Sequence, residues 1–125
     1  MGITLLQSDL DALFPADIAD KFFEALYGDA EDGAYDIRLV FRSGDAKALE
    51  LAFELHQREG KCLVCNLTYG LPQVFQRHPI INMAALAPRI AALAGWKGQT
   101  THFSLGRTEE NSRSLHCIPL TITPA

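Results

Sequence analysis

The sequence predicts an α+β fold: a five-stranded, mainly antiparallel sheet with two helices on one face, in the order α-β-β-β-α-β-β. Three observations carry that reading. Apolar and polar residues alternate through 35–43, 49–56 and 63–69, the period of two of half-buried strands. Apolar residues return at helix spacing in 15–27 and 82–94. Alternation resumes in 101–106 and 115–123, on either side of the polar stretch 107–114. Antiparallel strands with both helices on one side are the simplest way to bury such a pattern. With 125 residues, 48% of them apolar and 21% charged, a single domain over 1–125 is expected, with a core that needs no disulfide or metal staples.

Taken in order, Ser8 with Asp9 and Asp11 reads as a helix N-cap followed by acid in the first turn. Pro15 suits the first position of the helix over 15–27, where Ile18, Phe22, Ala25 and Leu26 share a face and Gly28 is the stop. Pro15 either separates two helices or begins the only one. The acidic stretch 28–34 is a connector, because it lacks the alternating oxygen ligands and closing Glu of an EF-hand loop.

In the first strand Ile37, Leu39 and Phe41 point one way, Asp36, Arg38 and Arg42 the other. Gly44-Asp45 turns the chain into a long hairpin around Arg58-Glu59-Gly60. Its register pairs Leu55 with Leu63, Phe53 with Cys65, Leu51 with Leu67 and Leu49 with Tyr69. Pro72 ends the sheet, and Pro79 forbids a clean helix through 73–81. Asn82 is the expected cap of the next helix, with Leu86, Ile90 and Leu93 as its stripe and Gly95-Trp96 as its close. Pro119 places the last strand at an edge, or leaves its proline-facing side unpaired.

This order of elements resembles that of small acidic dimeric secretion chaperones, which also place a helix before three strands and another between the third and fourth. The resemblance covers most of the chain, is one of order and not of motif, and departs from those proteins in having no helix after the last strand. It implies a dimeric, protein-binding role.

The net charge of -4 disfavours nucleic acid and anionic membrane surfaces, which call for a basic face. No apolar run approaches the ~20 residues that span a bilayer. The opening MGITLLQSDLD has neither the basic flank nor the apolar segment of a secretory signal, and Leu6 stands where a myristoylation signal has Ser or Thr. Three cysteines, an odd number, suit reduced thiols. These points lead to a soluble, cytoplasmic protein.

Cys62-Leu-Val-Cys65 has the spacing of a metal or redox pair, but strand alternation sends the two sulfurs to opposite faces. His56 faces Cys62 in the hairpin register, and His102 and His116 share a parity. With the two hairpins side by side, His56, Cys62, His102 and His116 form a set suited to zinc on the open sheet face. A second candidate is the corner made by Tyr69, Arg77 and His78, where Arg supplies a fork for an anionic ligand. Catalytic signatures are absent: no serine stands in a G-x-S-x-G elbow, no phosphate loop occurs, and Glu50 and Glu54 share a solvated strand face. No cofactor is implied.

The outward face also carries Ile118, Leu120 and Ile122 if the last strand keeps its parity. Such aliphatics among polar residues suit a contact, either a homodimer or a protein partner, through the open face or an edge strand. The leading expectation is therefore a non-enzymatic interaction module acting as a homodimer. The alternative is a small-molecule or zinc-binding protein.

Overall fold

In the computed structural model, which describes residues 2–27, 35–59, 71–96 and 100–124, the chain runs α1 (Gln7–Leu13), α2 (Asp17–Tyr27), β1 (Tyr35–Gly44), β2 (Leu49–Gln57), α3 (Leu71–Arg77), α4 (Met83–Leu93), β3 (Thr101–Leu105), β4 (Glu109–Glu110) and β5 (Leu115–Pro124). The strands form one antiparallel sheet in the order β1-β2-β5-β3, with β4 also on β5. The expected α+β class with a five-stranded antiparallel sheet is what the chain adopts.

The membership of the sheet differs from the expected one. The strand over 63–69, with the turn at Gly60 and the connector 28–34, lies outside the described residues. The flank of β2 expected to receive 63–69 is held by β5: Leu55 stands opposite His116, Phe53 opposite Ile118, Leu51 opposite Leu120 and Leu49 opposite Ile122. Both flanks of β2 are thereby taken, by β1 and β5. The fifth strand is β4, inside the stretch read as a polar turn.

The even residues of β5 share the face of Ile37, Leu39, Leu51 and Phe53, because directly paired residues lie on the same side of a sheet. Ile118, Leu120 and Ile122 are fully buried there, which corrects their expected place on the open face. All four helices cover this face. Leu10, Phe22, Phe75 and Ile90 join the strands' aliphatics in one core. Phe53 is its centre, with the Phe14 ring 5.3 Å away and the Phe75 ring 5.4 Å away, edge-on.

Pro15 does separate two helices. Its ring disfavours helical backbone at Phe14, whose φ of -130° and ψ of 78° close α1. Ser8 is not the cap; α1 begins one residue earlier, at Gln7. α3 is an additional helix, with Pro72 in its first turn where no N–H is required and with its end before Pro79. Asn82 precedes α4 as expected but does not cap it by its side chain; it holds left-handed backbone, φ 52° and ψ 61°, which Asn tolerates better than most residues. Leu93 turns outward and is partly exposed, while Trp96 folds back with its N–H on the Ala91 carbonyl, 2.9 Å.

Pro119 is not on an edge strand, since β5 lies between β2 and the β3–β4 side. Its carbonyl accepts the Gly106 N–H at 2.9 Å, so its missing donor points the same way, into the break at 106–108 between β3 and β4. Neither expectation for Pro119 holds: β5 is an inner strand, and its proline-facing side is paired by β3 and β4 on either side of the ring. A side chain at 106 would crowd the ring: a Cβ there meets Pro119 carbons at 3.3 Å.

Candidate functional site

The outer side of β1 is where the fold leaves most to build with. Among the described residues, β1 has β2 on one flank and α1 on the other. Gln7 Nε2 donates to the Leu39 carbonyl at 2.7 Å and to Asp11 Oδ1 at 2.9 Å. The Ile3 N–H donates to the Gly44 carbonyl at 2.8 Å. These bonds cover part of an edge that would otherwise template further strands. Backbone groups in a strand alternate sides, so the outward Leu39 carbonyl places the amide and carbonyl of Ile37 outward as well.

Beside Ile37 the edge opens into a cleft of about 450 Å³ lined by Asp11, Phe14, Ala16, Asp36, Ile37, Arg38 and His56. Its size falls in the range of ligand pockets. Phe14 and Ala16, on either side of Pro15 in the break between α1 and α2, form one wall of it. Phe14 and Ile37, both almost fully buried, make its apolar floor.

Charged pairs make the rim. Arg38 meets Asp11 with Nε on Oδ1 and Nη2 on Oδ2, each at 3.4 Å, so α1 is tied around the edge to the far face of β1. Arg58 donates to Asp36 Oδ1 at 3.0 Å and to Asp20 Oδ1 at 2.7 Å, with its guanidinium 5.4 Å from the centre of the Phe23 ring. His56 Nε2 lies 3.0 Å from Glu54 Oε1. The register sets these positions, since Asp36 stands opposite His56 and Arg38 opposite Glu54. The Gln7 and Arg38 hydrogen bonds hold the Asp11 carboxyl below its ordinary pKa, so it is ionised at neutral pH.

The rest of the open face sets polar pairs around a short apolar row, Val40, Ala52 and Pro119, across β1, β2 and β5. Thr121 Oγ1 donates to Glu50 Oε2 at 2.9 Å. The register shift between Phe41 and Ser43 in β1 re-aims Arg42, which reaches Glu109 on β4 at 2.8 Å. Cys117 lies beneath that pair, and burial pushes its thiol pKa up, which keeps it protonated and unreactive.

The residues expected to hold zinc do not converge. His116 is on the core face, opposite Leu55, and buried. His56 and His102 are on the open face, but they pair with Leu115 and Thr123, eight positions apart along β5. At ~3.3 Å per residue that is about 26 Å. Cys62 lies outside the described residues, as does Tyr69 of the anion corner. Among the described residues no group of three His, Cys, Asp or Glu is placed to hold a metal ion.

Arg77 and His78 do sit together, beside an open hollow of about 400 Å³ shared with Gln73, Val74 and Pro79. His78, however, is committed to the fold. Its Nδ1 accepts the Ile80 N–H at 3.2 Å and its ring packs edge-on to Phe22, 4.8 Å between centres. The bond to Nδ1 leaves the neutral ring's proton on Nε2.

Of the lining residues only His56 stood among the expected site residues, and then as a zinc ligand; Asp11, Phe14, Ala16, Asp36, Ile37 and Arg38 did not. The one usable signal in the sequence was the opposite charge of Asp36 and Arg38 on the polar side of a strand. No helix among the described residues is long and apolar enough to cross a membrane. Comparison with family models, with curated proteins and with solved structures finds no match to this chain. The likeness to secretion chaperones is thus limited to element order, and two helices precede β1 where those proteins have one.

Proposed function

We propose that the protein is a non-enzymatic interaction module that docks a segment of a partner protein at the outer edge of β1. The cleft beside Ile37 carries the reading. It joins an apolar floor, a rim of ion pairs and outward backbone groups on one strand, which is the make-up of a small interface with an apolar centre and polar rim. An extended segment laid along β1 would bond Ile37 and lower one side chain onto Phe14. The carboxylates at the rim are paired with guanidiniums, an arrangement for holding shape and charge and unlike a general acid or base set apart by burial. The edge is favoured over the open face because Ile118, Leu120 and Ile122, expected on that face, are in the core; Leu6 and Leu93 are the large apolar residues found exposed among the described ones.

A homodimer is one form of this reading, with a segment of a second copy in the cleft. The odd number of cysteines and the acidic charge make the cytoplasm its expected place.

Panning a random-peptide phage library against the wild-type protein and against Ala16→Trp tests the reading. Ala16 is exposed, so the new ring fills the cleft without entering the core. Clones that hold wild type and release the variant are expected. A library that yields none, or clones indifferent to the substitution, overturns the reading.

A further inference from the structure

The charges around the cleft are unequal in number and in exposure. Among the described residues four carboxylates, Asp11 and Asp36 in the lining and Asp20 and Glu54 beyond it, stand against two guanidiniums, Arg38 in the lining and Arg58 beyond it. The side chains of Asp11, Asp20 and Asp36 are 47%, 52% and 62% exposed and that of Arg38 51%, whereas those of Glu54 and Arg58 are 25% and 19% exposed, Arg58 lying against the Phe23 ring. Among the described residues, then, three exposed carboxylates stand against one exposed guanidinium around the apolar floor, an excess of acid. These carboxylates also retain bonding capacity: Asp36 receives Arg58 on one oxygen, and an ionised carboxylate offers about four lone-pair sites.

Resting on the docking reading above, we infer that the docked segment is basic as well as apolar: an extended stretch of another protein that sets one apolar side chain on Phe14 and Ile37 and a neighbouring Lys or Arg beside Asp36 and Asp11. Alternation along an extended chain gives that geometry. One side chain enters the cleft while the next points to the opposite face of the strand, where Asp36 and Arg38 lie. A further copy of this chain is the poorer occupant, because each copy carries a net charge of -4 and two copies repel.

Three synthetic peptides test this by fluorescence anisotropy. They share one extended sequence with a central Leu and differ only in its neighbours, which are Lys, Gln or Glu. The Lys peptide is expected to bind about fivefold tighter than the Gln peptide, in line with one or two exposed ion pairs, and the Glu peptide weakest. Raising salt should shrink the difference. Asp36→Asn and Asp11→Asn should each bring the Lys peptide toward the Gln peptide, with circular dichroism confirming the fold. Equal binding of the Lys and Gln peptides, both lost in Ala16→Trp, overturns the basic preference and leaves the docking reading standing. Binding of none of the three, or binding untouched by Ala16→Trp, overturns both.

Discussion

Phe53 and Glu54 are neighbours in β2, and they belong to different chemistries. Phe53 faces a side of the sheet where the apolar row continues across β1, β2 and β5 and is sealed by helices. Glu54 faces a side where charges and hydroxyls are answered from other strands: Arg38 opposite Glu54, Thr121 on Glu50, and Arg42 reaching across to Glu109. One side is held by area removed from water, the other by pairs that water competes for. The cleft lies where the two meet, around the edge of β1, and takes its floor from the first and its rim from the second.

The contrast is sharpest at those two neighbours. Phe53→Ala removes a fully buried ring that touches two others and should cost about 3–5 kcal/mol, whereas Glu54→Ala should stay within about 1 kcal/mol. Urea unfolding monitored by circular dichroism measures both. Similar losses would mean that the two sides are not built differently. Gly44→Ala comes next. A Cβ there would sit 2.8 Å from Leu49 Cδ2 and 3.2 Å from the Phe41 ring, so a core side chain has to move. Overpacking of this kind costs about 1–3 kcal/mol, and an unchanged midpoint would show that the turn yields instead.

The two sides were unequally legible. Ile37, Leu39, Leu49, Leu51, Phe53 and Leu55 could be assigned to the core from the sequence, because alternation fixes which residues share a face. Alternation does not choose a strand's neighbour. Both 63–69 and 116–122 offered β2 an apolar row, and the local hairpin favoured the first on paper while β5 holds the flank. That choice also placed Ile118, Leu120, Ile122 and His116 on the wrong side. The cleft was less legible still. Its residues come from α1, the break at Pro15, β1 and β2, which no local pattern joins.

A smaller effect is expected across the open face. Arg42→Ala breaks the pair with Glu109, both partners being well exposed, and should cost about 0.2–1 kcal/mol. It should also uncover Cys117. In wild type that thiol should resist iodoacetamide; in the variant, at a pH alkaline enough to offset the loss of the guanidinium's pull on the thiol, peptide mapping by mass spectrometry should find it alkylated faster. An unchanged rate would mean that Pro119 and Glu54 protect it without the arginine.

The smallest effect tests the tie between the two sides. Gln7 and Arg38 hold Asp11 below its ordinary pKa, as the Lys47 and Ala48 amides hold Asp45. As pH falls, the unfolded chain takes up these protons before the folded one does. The stability they supply is therefore fully present above the ordinary carboxylate value of about 3.9 and is lost as pH falls through the lower folded-state values. Asp11→Asn should flatten the acid limb of a melting-temperature profile without changing its neutral plateau by much, and Asp45→Asn should flatten it independently, since the two sites share no partner. Both groups are open to solvent, so the change should shrink with added salt. An acid limb that Asp11→Asn leaves intact would mean that the bond from α1 to Arg38 carries no stability around the edge. Among the described residues the rim of the cleft would then be held by the Arg58 and His56 pairs.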